Sequence, residues 1–257
     1  MKIQDTQSTI NTAWLSEGFR LTSFFHPSER MDYSQWWESV VGEMPEKRNS
    51  QPKMGVFQDE GPYSGGYLIL SIQPGRADWL FFPSFDNQIN MPIFQELPPY
   101  KLNKEIFLQV MSHWFEICPP IRRVAFGLIL NIPVPDRSIG YRELSKYLSK
   151  IQIDSDNSTD LLYQINRRRI SKNIPDLSLN RLSKWAVAVI ESIRIPADGV
   201  SPVVAGFQQS PYYFVRLELD VNTAQEYNKN IPNEKYKPLL SELLELAFEI
   251  AEKGDVA

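Results

Sequence analysis

At 257 residues, with 42% hydrophobic and 23% charged side chains, the chain has an ordinary globular composition and enough length to bury a core, which excludes disordered, collagen-like and coiled-coil classes. The net charge of −4 argues against a protein ruled by nonspecific phosphate binding, yet residues 101–184 hold 14 Lys and Arg against 8 Asp and Glu, and the remainder 13 against 23. The middle is basic and the ends are acidic, the pattern expected of separate solvated faces of one sign or of a basic functional surface.

Residues 1–11 are polar and lack the basic-then-apolar pattern of a signal peptide. Residues 19–25 read as a strand, and Asp32 to Gln35 as a capping box opening a short helix with Trp36, Trp37, Val40 and Val41 on one stripe and Gly42 as its left-handed stop. Residues 43–51 are expected to be a polar loop. Residues 67–73 and 78–82 flank Pro74-Gly75, which suits a type II turn because proline fixes the first central residue and glycine permits positive φ at the second. That makes a hairpin. Pro92, Pro98 and Pro99 make 91–100 an extended connection.

Asn103 is the expected cap of a helix whose apolar residues Ile106, Phe107, Val110, Met111, Trp114 and Phe115 recur every three or four positions until Pro119-Pro120. Residues 123–132 form an apolar strand, about half the length of a membrane span. Tyr141, Leu144, Tyr147 and Leu148 mark a short helix, and 154–160 a polar loop. Strands are expected at 161–170, 184–195 and 212–220. The chain closes on an amphipathic helix with Leu239, Leu240, Leu243, Leu244, Ala247, Ile250 and Ala251 on one face, stopped by Gly254. Strands followed by a long helix, twice over, predict an α+β protein of two related halves, each a mainly antiparallel sheet with a helix across it, divided as 1–150 and 151–257.

Phosphate-loop, dinucleotide, nucleophile-elbow and metalloprotease signatures are missing from the sequence. His26, before Pro27, suits a turn and His113 a helix surface, so no metal centre and no cofactor are expected. Cys118, the single thiol, lies at a helix C-terminus, where it should be inert, and a lone cysteine favours the reducing cytoplasm. Glu218 and Asp220 share one face of a strand, the spacing of an acid–base pair, but Arg216 on that face can neutralise Glu218. Arg167 and Arg169 would point one way from their strand and Arg168 the other. With Arg181 they are the candidates for phosphate contacts, against the plainer expectation of ion pairs to the acidic ends.

The stretch from Pro119-Pro120 through Arg122-Arg123-Val124-Ala125-Phe126-Gly127-Leu128 to Asn131-Ile132-Pro133, together with Leu217 to Val221 before the last helix, resembles a sporadically distributed prokaryotic family of uncharacterised proteins of about 250 residues. The resemblance implies a patchily inherited protein without an established activity, and carries over no functional residue. Abundant aromatics and the missing catalytic signatures make the leading expectation a cytoplasmic binding or protein-interaction module whose sheet surfaces contact a second copy, another protein or a small ligand. The alternatives are a nucleic-acid-binding protein using Arg167, Arg169 and Arg181, and an enzyme centred on Glu218 and Asp220.

Overall fold

A computed structural model describes residues 14–26, 32–82, 99–190 and 211–256. Ten strands of this region pair into one antiparallel sheet. In chain order they are β1 (Leu15–Phe25), β2 (Lys47–Gln51), β3 (Val56–Tyr63), β4 (Gly66–Gln73), β5 (Arg76–Phe82), β6 (Ile121–Val134), β7 (Leu162–Asn166), β8 (Arg169–Ile170), β9 (Ser178–Ile190) and β10 (Tyr212–Thr223). Helices α1 (Trp36–Val41), α2 (Tyr100–Ile117), α3 (Arg137–Tyr147) and α4 (Tyr236–Lys253), with short 3-10 turns at Pro52–Met54 and Asn233–Lys235, complete the described elements. The strands lie in the order β2-β3-β4-β5-β1-β6-β10-β9-β7, with β8 also on β9, so β1 and β6 are neighbours in the middle.

All four helices cover the same face. Trp114 of α2 donates its indole N–H to Ser23 of β1 at 3.0 Å, and Trp37 of α1 stacks on Trp79 of β5. Gly140 of α3 lies against Val187 of β9, and Glu249 of α4 meets Arg181 of β9. Strand register places the residues they touch on one side, in rows such as Leu70, Trp79, Leu21, Phe126, Val221 and Arg181. The core between sheet and helices is aromatic: Trp37, Trp79, Trp114, Trp185, Phe19, Phe81, Phe107 and Phe126 are each exposed by 2% or less.

The hairpin at Pro74-Gly75 forms, with Gly75 at φ 75°. Several expected boundaries move. Residues 47–51, expected as loop, are strand β2, an edge strand of polar residues held by backbone pairing to β3 and by Arg48 on Asp59 at 2.8 and 2.9 Å, so no apolar alternation announces it. Asp32 makes a local turn, accepting from Ser34 N and Oγ, rather than a capping box on α1. Helix α2 begins at Tyr100 behind Pro99, and Asn103 is buried inside it, donating to Ser16 Oγ at 3.2 Å. The expected strand 161–170 is broken between β7 and β8, and β9 starts at Ser178, six residues before the expected 184, because buried Arg181 disguises the alternation. The expected strand residues 191–195 and most of the proline-rich connection 91–100 lie outside the described residues.

Gly254 closes α4 at φ 78°, and a Cβ there would stand 2.1 Å from the Tyr147 carbonyl oxygen at the end of α3. Neither the backbone angle nor the space admits a side chain. Gly254→Ala is expected to lower stability by about 1–3 kcal/mol, read as a drop in Tm, whereas an unchanged Tm would show that the α3–α4 contact contributes little.

Candidate functional site

The face without helices carries the alternate residues of each strand. One row runs Ile69, Leu80, Arg20, Gly127, Asp220 and Leu182 across β4, β5, β1, β6, β10 and β9. Beside it Ile129, Glu218, Lys184 and Gln164 form a second row across β6, β10, β9 and β7. Where the rows cross the β1–β6 junction the face sinks into a cavity of about 360 Å³, with Gly18, Phe82, Leu80, Leu182 and Ile129 among its apolar walls and Arg20, Lys184, Glu218, Asp220 and Gln164 among its polar groups. Ligand sites are characteristically of this kind, mostly apolar with a few placed polar groups.

Two glycines shape the cavity. Gly127 sits in a central strand whose other residues carry side chains, and a Cβ there would lie 3.2 Å from Arg20 Nε. Its missing side chain lets Arg20 lie across β6 and reach Asp220 two strands away, roughly 10 Å at normal strand spacing; the Nη2–Oδ2 separation is 3.5 Å. Gly18 faces the Phe82 ring. It follows a bulge in β1, where the register with β6 shifts between Ser16 and Gly18. The extra residue, Glu17, is thereby turned to the helix-free face as well.

Beside this cavity Glu218, Arg216, Lys184 and Glu17 are closely paired. Glu218 accepts from Arg216 Nε at 2.9 Å and Lys184 Nζ at 3.1 Å, while Arg216 also grips Glu17 at 2.5 and 3.2 Å and Asn131 donates to Glu17 at 2.9 Å. Burial pushes the Glu218 carboxyl up, but the hydrogen bonds from Arg216 and Lys184 outweigh it and hold the group below its ordinary 4.5. Such a carboxylate stays ionised near neutrality and is unsuited to donate a proton there. Asp220 accepts from Asn222 Nδ2 at 2.9 Å. Alternation thus places Glu218, Asp220 and Arg216 on one face as the sequence implies. The third carboxylate of this patch, Glu17, is separated from Glu218 by Arg216. No group of three or more His, Cys, Asp and Glu able to hold a metal ion occurs among the described residues.

The arginine cluster lies elsewhere, on the helix side beside the end of α4. Arg167 makes a two-pronged contact with Asp255 at 2.5 and 2.6 Å, and Arg169 Nη1 meets Glu249 at 2.8 Å. Arg181, 1% exposed, meets the same Glu249 at 3.1 Å. Arg168 turns the opposite way, to Asn180 and Glu226. Burial, with Arg169 nearby, lowers the proton affinity of Arg181, and its Nε and Nη1 have no acceptor.

Asp255 is held below its ordinary 3.8 chiefly by the hydrogen bond from Arg167, with a further one from Tyr163 at 2.8 Å. A depressed folded value means that this contribution is complete above pH 3.8 and is lost as pH falls through the lower folded value. Asp255→Asn is expected to remove it, so the gap in urea stability between the variant and the natural chain should shrink as pH drops below about 4. A gap independent of pH would show that the Asp255 charge is not what holds the C-terminus.

Cys118 is half-buried, and burial pushes its thiol up to about 12, which suits an inert group. His113 Nδ1 lies 3.2 Å from the Val40 carbonyl oxygen, joining α2 to α1. Sequence reasoning passed over Arg20, Gly18, Leu80 and Phe82; the available signal was Gly127, since a glycine within an apolar strand marks close approach of another group. Among the described residues no helix is long and apolar enough to cross a membrane. No family model, curated protein or solved structure matches the chain.

Proposed function

We propose that the chain is a binding module rather than a catalyst, and that it takes a small ligand in the cavity of its helix-free sheet face. The observation that carries this is the Gly127 floor: a central strand gives up a side chain, and with it local stability, at the point where apolar walls and polar groups converge. Satisfied ion pairs around Glu218 favour recognition over proton transfer. With Arg167, Arg169 and Arg181 tied to Asp255 and Glu249, the basic middle is read as a set of internal ties and not as a phosphate-binding surface.

The same reading has two related halves. Residues 15–117 run strand, helix, four strands, helix, and residues 121–253 repeat that order. In each, the first strand is innermost and is followed outward by the last, then the one before it: β1, β5, β4 on one side and β6, β10, β9 on the other. The junction then falls at 118–120 rather than at 150, and the cavity opens where the halves meet. We further read the chain as a relative of the sporadic prokaryotic family that residues 119–133 resemble and, from its lone cysteine, as a protein of the reducing cytoplasm.

Thermal-shift screening of a small-molecule library against the chain and its Gly127→Val variant tests the proposal. Valine suits a strand and would push aside the Arg20 side chain that lies over Gly127, altering the cavity, so compounds are expected that raise the Tm of the natural chain and leave the variant unmoved. Stabilisers that act equally on both would place the binding elsewhere.

A further inference from the structure

Resting on the cavity as the binding site, we infer that its ligand is a small amphiphile with an apolar body and one carboxylate head, and that Arg20 reads the head. Hydrogen bonding around the cavity is unevenly met. Both oxygens of Glu218 are engaged, by Arg216 and Lys184, and Asp220 already accepts from Asn222. The acceptors are provided for. Arg20 is different. Its Nε is buried without an acceptor, and Asp220 at 3.5 Å from Nη2 is too far for a good hydrogen bond.

A guanidinium offers five N–H donors in a planar fork that fits a carboxylate edge. The Arg20 side chain is 38% exposed although Nε itself is shielded over Gly127, so an entering carboxylate would meet the guanidinium through its Nη groups. What the cavity lacks is therefore an anionic acceptor rather than a cation. Leu80, Phe82, Ile129 and Leu182 provide an apolar seat next to it, and about 360 Å³ lies at the small end of the roughly 300–1,000 Å³ typical of ligand pockets. An amino acid is disfavoured because its ammonium would find both carboxylates already engaged.

The test is calorimetric titration of the full chain with four probes that share a phenyl body: hydrocinnamate, hydrocinnamyl alcohol, phenethylamine and phenylalanine. Hydrocinnamate should bind about tenfold or more tightly than the other three, the worth of a charge-assisted hydrogen bond. Arg20→Gln should erase this preference, and Asp220→Asn, by removing the competing anion, should tighten hydrocinnamate. Equal binding of the alcohol or amine, or weakened hydrocinnamate in Asp220→Asn, would overturn the inference. Should those probes bind at Gly127 without a preference for the carboxylate, the cavity stands as a binding site and only the head assignment falls. If none of the four binds, the carboxylate inference fails, and the cavity itself is judged by the Gly127→Val screen.

Discussion

Glu249→Ala should destabilise the protein by about 3–5 kcal/mol, the usual penalty for leaving a buried charge uncompensated. Glu249 is the acceptor shared by Arg169 at 2.8 Å and Arg181 at 3.1 Å, and the Arg181 side chain has no exposed surface. Two of its guanidinium nitrogens already lack acceptors. Losing Glu249 would strand the whole group in the core. Arg181→Met should behave differently, because an unbranched apolar side chain can fill much of the same space and Glu249 keeps Arg169 and Lys253. The expected change is within about 1 kcal/mol of zero. The double variant should then be more stable than Glu249→Ala alone, a coupling that urea unfolding of the four proteins measures. If Arg181→Met is as damaging as Glu249→Ala, the pair is a net source of stability, contrary to this account.

The second large effect belongs to Trp114. It is fully buried, its ring meets those of Trp36 and Trp79 with centroids at 4.9 and 5.8 Å, and its indole N–H is satisfied by Ser23. One side chain thus joins α1, α2, β1 and β5. Trp114→Ala removes the ring from a site that cannot fully close, and a loss of about 3–5 kcal/mol is expected, or roughly 10 °C in Tm for a chain of this size. Trp114→Phe, which keeps most of the volume, should lose distinctly less. A small loss for the alanine variant, in thermal or urea unfolding, would mean that the aromatic cluster repacks.

How much of this was readable from the residues follows from how local each signal is. Helices α2 and α4 each carry one apolar stripe, β10 alternates along most of its length, and β4 and β5 are apolar runs on either side of Pro74-Gly75, so their existence and the shared face of Arg216, Glu218 and Asp220 follow from local pattern. Strand β2 has no buried residue, and the first half of β9 buries an arginine, so hydrophobic pattern misses one and shortens the other. The cavity was hidden for a different reason. Arg20, Gly127 and Asp220 are brought together only by the registers of β1 with β6 and of β6 with β10, which link positions more than ninety residues apart and which no window of sequence contains. The ties of Arg167 to Asp255 and of Arg169 to Glu249 span 88 and 80 residues, and without them three nearby arginines look like a free basic patch.

Binding in the cavity of the helix-free face is tested most directly by amide chemical-shift mapping of the full chain with a stabilising compound from the screen. Gly18, Gly127 and Leu182 are expected to move most, with α2 and α4 nearly still, and Gly127→Val is expected to abolish the movement. Shifts centred on the helices or on the outer strands β2 and β7, with the β1–β6 junction unmoved, would contradict it.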